Sequence, residues 1–323
     1  MDRRQLRKAM SPAGWTMVLY YLLVNVCVMV VAFVQMLISM IVQTSITGID
    51  AIYFMEELAE AALSSAWGYF VAAGVGLVIL LAWKKPVFWR RQIWARGKPM
   101  KIGDFFGILC IFLSAQLLYQ ILVMVLETIL NLFDLTMFYG LESLSAGSDN
   151  FSMFLYMCVL APVSEELLCR GLVQRMLMPY GKRLAIVGSA FLFGIFHGNI
   201  IQAPYAFAVG LVLGYVAAEY SIAWAMVLHM INNLVVGDMM TRLMAGMNDM
   251  AAGLLIWGFL ILCALGAVIT LVCRGREIGV WLRRNPKVPG VTSCFFGSAG
   301  VITFTVLMAL SMVGTCFVLI TPI

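Results

Sequence analysis

Three short stretches of this 323-residue chain place ionisable side chains inside long apolar runs. Glu165 and Glu166 lie in CVLAPVSEELLCRGL, and the only two histidines, His197 and His229, lie in FLFGIFHGN and WAMVLHMINN. A charged residue at the centre of a membrane helix costs about 2.5–3.5 kcal/mol on insertion scales. Because three such stretches fall within the middle of the chain, we expect them to form one shared polar site that does chemistry.

The acidic stretch has an internal ion-pair partner. Glu166 and Arg170 are four residues apart, so on a helix they share a face and can pair. Glu165 points away from that face and needs a partner on another helix. Pro162 should loosen the helix just before this point. The alternative for Glu166 and Arg170 is a salt bridge that only stabilises a helix end.

The two histidine stretches each pair the imidazole with a residue four positions away. These pairs are Phe193 with His197 and His229 with Asn233, and Asn232 is a second candidate partner for His229. Taken singly, each histidine is explained by a hydrogen bond to a carbonyl or by interhelical hydrogen bonding in the membrane.

Two chemistries fit these residues taken together, and both hydrolyse an amide. In the first, Glu165 and His197 act as general base and acid around a water, and His229 and Asn233 stabilise an oxyanion. In the second, Glu165, His197 and His229 hold a Zn²⁺ ion with one position open to water. The cofactor is therefore either absent or zinc, and the spacing leaves both alternatives open.

Composition limits the class of protein. Hydrophobic residues make up 63% of the chain, charged residues 11%, and the mean hydropathy is +0.98. These values predict an all-α, polytopic membrane protein, and the net charge of +5 is no signature of nucleic-acid binding. We count about nine spans, with eight as the alternative, at 14–43, 66–83, 104–132, 151–174, 184–199, 202–218, 222–240, 251–273 and 298–321.

The spans divide the chain into three predicted parts. Residues 1–103 hold spans 1 and 2 with a basic interfacial loop, residues 104–240 hold the catalytic core built from spans 4–7, and residues 241–323 hold spans 8 and 9. The sequence 297–306, GSAGVITFTV, is rich in small residues and permits close packing of span 9.

Basic residues predict the orientation. Of the 21 lysines and arginines, all except Arg242 fall on alternate sides of nine crossings. The positive-inside rule then puts the N-terminus in the cytoplasm and the C-terminus outside. Short loops are typical of a prokaryotic plasma-membrane protein. The opposite loops are acidic, with Asp50, Glu56, Glu57, Glu60, Asp134, Glu142 and Asp149.

Two further features have alternative interpretations. The segment 85–101, KPVFWRRQIWARGKPMK, is either an interfacial element on anionic lipid or an ordinary basic loop with aromatic residues. Glu127 in span 3 either lines the site or lies near the outer headgroups, and we favour the second. The eight cysteines are scattered and predict no disulfide framework.

The spans place Glu165 and His197 at different depths in the membrane. Residue counting puts Glu165 in the inner half of span 4 and His197 near the outer end of span 5. The two meet only if span 4 continues past Arg170, or if span 5 starts later or tilts.

At these residues the chain resembles the type II CAAX prenyl endopeptidases, also called the Abi or CPBP family of intramembrane proteases. The family motifs EExxxR, FxxxH and HxxxN correspond here to Glu165-Glu166-LLC-Arg170, Phe193-GIF-His197 and His229-MIN-Asn233. They occur in family order, and the resemblance covers about residues 105–240.

The resemblance implies a conical helical bundle around a hydrophilic cavity. By motif position, Glu165 and His197 would activate water, His229 and Asn233 would form the oxyanion hole, and Glu166, Arg170 and Phe193 would support them. The implied substrates are membrane-associated peptides or proteins, including C-terminal tripeptides of prenylated proteins and bacteriocin-like peptides.

Two other functions remain as alternatives. Intramembrane Glu and His also serve proton- or ion-coupled transporters, but the chain lacks the repeated halves typical of those proteins. A non-catalytic membrane scaffold of the same fold is the third hypothesis, and the intact motifs argue against it.

Overall fold

Among the residues that the structure describes, the protein is a helical bundle with one very small sheet. The computed structural model describes residues 2–47, 54–83, 88–89, 93–95, 97–138, 140 and 150–323. The helices are α1 (Arg3–Thr47), α2 (Met55–Leu63), α3 (Trp67–Trp83), α4 (Ile102–Asn131), α5 (Phe151–Tyr180), α6 (Lys182–Phe196), α7 (Gln202–Glu219), α8 (Ile222–Met244), α9 (Asp249–Arg284), α10 (Val291–Phe296) and α11 (Ala299–Leu319).

Seven helical stretches among the described residues are long and apolar enough to cross a membrane: α1, the α2–α3 stretch, α4, α5, α8, α9 and α11. This confirms the predicted all-α polytopic architecture, and the chain is an integral membrane protein. Many large hydrophobic side chains on these helices face outward, as expected where the solvent is lipid.

The predicted spans 184–199 and 202–218 are helical, but they are not among the seven stretches that are long and apolar enough to cross a membrane. They form α6 and α7, of 15 and 18 residues. Helix α6 rises only about 22 Å, less than a hydrocarbon core of about 30 Å. Both helices pack inside the bundle, where their apolar side chains meet protein rather than lipid. The count of nine includes these two helices and stays a prediction.

Helices α5 and α8 are irregular. Helix α5 contains π-helical turns at Tyr156–Leu160 and Leu167–Val173, and α8 contains one at Asn233–Met239. The first lies just before Pro162, which confirms the predicted loosening of this helix. Such turns widen the helix locally and often occur at functional sites.

Helix α11 docks tightly against α1. The Gly300 amide donates to Ser11 Oγ at 2.8 Å. A Cβ on Gly14 would lie 2.1 Å from the Gly300 carbonyl carbon, so the two backbones touch with no room for a side chain. The small residues of span 9 therefore serve helix packing within this chain.

A two-stranded antiparallel sheet joins the end of α4 to the last residues of the chain. It pairs β1 (Leu135–Thr136) with β2 (Thr321–Pro322). Glu127 of α4 accepts hydrogen bonds from Thr136 Oγ1 at 2.5 Å and from the Met137 amide at 3.0 Å. Glu127 thus braces the sheet at the far end of α4, away from the predicted site.

Part of the basic segment contacts the bundle. Ile93 is buried against Leu167, Ile222 and Met226, and the amides of residues 97 and 98 donate to the carbonyls at the end of α7. Several members of the predicted charge pattern (Lys84, Lys85, Arg90, Arg91, Arg96, Asp50, Glu142 and Asp149) lie outside the described residues.

Candidate active site

The α5–α6 hairpin brings Glu165 and His197 to the same depth. Helix α5 continues past Arg170 to Tyr180, and the chain reverses at Gly181, whose φ of +119° favours glycine. Glu165 lies 16 residues before Gly181 and His197 lies 16 residues after it. In an antiparallel hairpin, equal distances from the turn give equal depth. The condition that span 4 must continue is therefore met.

Glu166 is a fully buried carboxylate shared by two partners. Its Oε1 accepts from Arg170 Nη1 at 2.7 Å, as the four-residue spacing predicts, and from His229 Nδ1 at 3.0 Å. Arg170 Nη2 also donates to the Gly210 carbonyl at 3.2 Å. The Glu166 and Arg170 side chains have no exposed surface, so this ion pair is part of the core.

Glu165 faces the other side of His229. Its Oε2 lies 3.8 Å from His229 Nε2, and its side chain keeps 17% of its surface exposed, in contrast to the fully buried Glu166. Glu165 is also within electrostatic range of His197. Of the adjacent acids, only Glu165 is therefore open to solvent or substrate.

The backbone fixes the tautomer of His197. Its Nδ1 lies 3.0 Å from the Phe193 carbonyl, which can only accept, so Nδ1 carries the proton and the Nε2 lone pair is free. His197 directly follows the last residue of α6, Phe196, three residues before the end of the predicted span.

Phe193 lies at the centre of the cluster. The edges of both imidazoles meet it, with ring centroids at 5.0 Å for His197 and 5.7 Å for His229. The Arg170 guanidinium lies over its face at 4.3 Å. Phe193 thereby contacts both histidines and covers the guanidinium of the buried ion pair.

Asn233 is held by its neighbours. Its Nδ2 donates to the Met157 carbonyl at 2.8 Å, in the first π-helical turn of α5. Its Oδ1 accepts from Asn232 Nδ2 at 3.2 Å, and Asn232 Oδ1 accepts from the Tyr205 hydroxyl at 2.8 Å. Of the two amide hydrogens of Asn233, one is therefore used by Met157. Among the contacts that the structure describes, neither asparagine side chain hydrogen-bonds the His229 imidazole.

Several supporting residues escaped the sequence analysis. Gln174 follows Arg170 by one helical turn and donates to the Gly214 carbonyl at 2.9 Å, repeating the contact of Arg170 with Gly210. The matching four-residue steps 170/174 and 210/214 are a signal that could have revealed this ladder. Tyr20, beside Ser164 and within electrostatic range of Glu165, had no such signal because α1 is remote in sequence.

The side chains do not form a three-ligand metal site. Among the described residues, no group of three His, Cys, Asp or Glu side chains is placed to hold a metal ion, and Glu165, His197 and His229 are all described. His229 Nδ1 is engaged by Glu166, so Nε2 is the ring nitrogen that faces Glu165. The glutamate mechanism and the zinc mechanism both stay predictions.

The fold and the site together define a class: an integral membrane protein that holds acids and imidazoles inside a helical bundle, as membrane-embedded hydrolases do. Within it, residues 147–235 match the family model of type II CAAX prenyl endopeptidases, Rce1-like. This confirms the resemblance over that segment, which contains all three motifs, and supports a membrane protease of the CAAX type. Comparison with curated proteins and with solved structures gave no match.

Proposed function

We propose that this protein is a membrane endopeptidase that hydrolyses a peptide bond of a membrane-associated substrate with a water activated by Glu165 and His197. The observation that carries the proposal is the contrast within the acidic pair. Glu166 is buried and its Oε1 is shared by Arg170 and His229, whereas Glu165 is partly exposed and interacts with two imidazoles. The Rce1-like match over residues 147–235 supports the same activity.

Glu165 and His197 have complementary capacities in this mechanism. Ionised Glu165 is an acceptor only, so it can take a proton from an attacking water. His197 offers a free Nε2 lone pair, since its Nδ1–H is bound by the Phe193 carbonyl. We assign Glu165 as the general base and His197 as the group that orients the water and relays the proton to the leaving amine.

His229 stabilises the oxyanion in this proposal, and its contacts impose a condition. Its Nδ1 faces the Glu166 carboxylate and must donate to it. A neutral ring would then present only a lone pair at Nε2. To donate to an oxyanion, His229 must be the doubly protonated imidazolium, and the proposed mechanism requires that form.

Asn233 contributes in the proposal through its second amide hydrogen. The first is held by the Met157 carbonyl, which sets the direction of the amide group. Removing one oxyanion donor from a hydrolase typically costs about 10²–10³-fold in kcat.

The side-chain arrangement favours the metal-independent form of this chemistry. Because no group of three potential ligands is arranged around an ion among the described residues, the proposed steps use only side-chain proton transfers. Activity that survives extensive chelation supports this form. Activity that is lost with a chelator and restored by Zn²⁺ would establish the zinc form.

The substrate class and orientation follow from the CAAX-type match and the charge pattern. We propose a prenylated or bacteriocin-like peptide, cut in a prokaryotic plasma membrane, with the N-terminus of the protease in the cytoplasm and its C-terminus outside. Cysteine accessibility from each side of the membrane tests the orientation.

The central test measures cleavage of prenylated and bacteriocin-like peptides by purified protein in proteoliposomes. Glu165→Ala and His197→Ala should each abolish turnover while the helical content and the unfolding midpoint stay close to wild type. Glu57→Gln, which removes an exposed carboxylate elsewhere, should keep full activity. If both site variants cleave at the wild-type rate, the mechanism is wrong. Glu165-dependent ion flux without cleavage would favour the transporter instead.

A further inference from the structure

A large groove lies apart from the proposed active site. It has a volume of about 940 Å³ and is formed by α4, α7 and the C-terminal part of α9. This volume is near the upper end of the range of about 300–1,000 Å³ for small-molecule sites. The four predicted catalytic residues, all of them described, do not line it.

The groove crosses the boundary between hydrocarbon and headgroups. Helix α9 has 36 residues, about 54 Å, so it extends well beyond a hydrocarbon core of about 30 Å. Its sequence carries no charge between Asp249 and Arg274, and the charged remainder therefore projects into the headgroup layer. The deeper walls are correspondingly apolar, formed by Ile108, Ile111, Leu211, Val212 and Leu271.

The rim of the groove carries excess positive charge. Its cations are Lys98, Arg274, Arg276 and Arg284, and its acids are Asp104, Glu219 and Glu277. All three acids are engaged: Asp104 and Glu277 by Arg274, and Glu219 by Lys182 and the Trp281 indole. In the described part of the chain, Arg276 and Arg284 form no ion pair, so two exposed guanidinium groups remain for an anion.

Lys98 and three aromatic residues complete the rim. Lys98 Nζ lies over the Tyr220 ring at 4.4 Å and 3.4 Å from the Tyr215 hydroxyl. Burial opposes the charge of Lys98, but the contacts with Tyr220 and Tyr215 outweigh it and raise the pKa of the ammonium group. Tyr and Trp are the residues expected at headgroup level, and Trp281 also lines the groove.

We propose that this groove binds an anionic phospholipid. The phosphodiester, whose negative charge no headgroup ammonium neutralises, meets Arg276, Arg284 and Lys98, and the acyl chains run down the apolar wall between α4 and α7. Charge complementarity selects an anionic lipid over a zwitterionic one, and the apolar wall selects a lipid over free phosphate. This site is independent of the proposed proteolysis.

The test uses the full-length protein, delipidated in mild detergent and titrated with phosphatidylglycerol or phosphatidylcholine, with bound lipid counted by native mass spectrometry. Phosphatidylglycerol should be retained in preference to phosphatidylcholine, and a large excess of inorganic phosphate should not displace it. The double variant Arg276→Gln/Arg284→Gln should weaken phosphatidylglycerol retention by about 30-fold, corresponding to about 1 kcal/mol for each basic residue.

A matched variant distinguishes a built site from general surface charge. Arg283→Gln/Lys287→Gln removes the same charge from neighbouring positions that do not line the groove, and it should leave retention unchanged. Ile111→Trp fills the apolar wall and should reduce retention with all charges intact. Equal retention of the two lipids, displacement by phosphate, or equal losses in the two double variants would each overturn the proposal.

Discussion

His229 Nδ1 and Arg170 Nη1 bind the same oxygen of Glu166, at 3.0 and 2.7 Å. The second carboxylate oxygen, Oε2, is buried and has no hydrogen-bond partner among the described residues. Glu166 therefore links the ion pair of α5 to the imidazole of α8. One carboxylate both neutralises a buried guanidinium and orients the histidine assigned to the oxyanion.

Glu166→Gln tests this link through stability. The substitution keeps the shape but leaves Arg170 as an uncompensated buried charge, which typically costs about 3–5 kcal/mol. Denaturant titration in detergent should show a loss of that size. Adding Arg170→Met to the same protein removes the stranded charge and should recover a large part of the stability. If the double variant is no more stable than Glu166→Gln, the pair does not act as a unit.

Gly198 fixes the chain as it leaves His197. Its φ is +61°, and a Cβ added there would lie 2.6 Å from Ser311 Oγ. Gly198→Ala should therefore suffer both backbone strain and a clash, lose about 1–3 kcal/mol of stability and displace the imidazole. Proteoliposome cleavage rates and unfolding midpoints check both effects.

Gly290→Ala is the matched control for that substitution, because Gly290 also has a positive φ, +76°, but nothing lies near its missing Cβ. It should show the backbone strain without the clash. Adding Ser311→Gly to Gly198→Ala removes the clash but not the backbone strain. The double variant should therefore be about as stable as Gly290→Ala is relative to wild type. Equal effects of the two glycine substitutions would contradict the role of the Ser311 contact.

The pairing of Glu166 with Arg170 could be predicted because it depends only on helix periodicity, and the structure contains it. The sequence predicts that Glu165 and His197 must meet if they share a site. It does not predict how they meet, because their relative depth depends on where α5 ends. That end is set by Gly181, whose conformation the hydropathy pattern does not report. The same pattern counts α6 and α7 as spans, whereas their length and mean hydropathy leave them outside the seven candidate spans of the described residues.

The side-chain contacts of His229 and Asn233 could not be predicted from spacing. Four-residue spacing suggested that His229 and Asn233 act side by side, yet His229 turns to Glu166 and Asn233 turns to Met157. Both partners lie on α5, more than 60 residues away in the chain. Which partner each side chain binds depends on how α5 and α8 pack at their π-helical turns. A single sequence does not show how two helices distant in the chain pack.

Tyr205→Phe tests whether the asparagine pair positions the site. The Tyr205 hydroxyl donates to Asn232 Oδ1, which fixes the amide that holds Asn233. Losing one hydrogen bond should cost only about 1 kcal/mol of stability. If Asn233 is no longer held in place, kcat should fall by more than a loss of about 1 kcal/mol corresponds to, while KM changes little. Tyr119→Phe is the control, because the Tyr119 ring packs against Tyr205 but its hydroxyl has no described hydrogen bond. Comparable kcat values for the two variants would show that Tyr205 only packs.

Glu219 gives the fold a pH dependence that is separate from catalysis. Burial would raise the pKa of this carboxyl, but hydrogen bonds from Lys182 and Trp281 outweigh burial and hold the pKa below its ordinary value. A carboxyl with a lowered folded-state pKa stabilises the protein above its unfolded-state pKa and loses that contribution as pH falls through the folded-state value. Unfolding midpoints should therefore fall as pH drops below about 4.5. Glu219→Gln, which cannot titrate, should flatten that part of the profile and lower stability near neutral pH. A variant profile as steep as that of wild type would assign the acid sensitivity to other carboxyls.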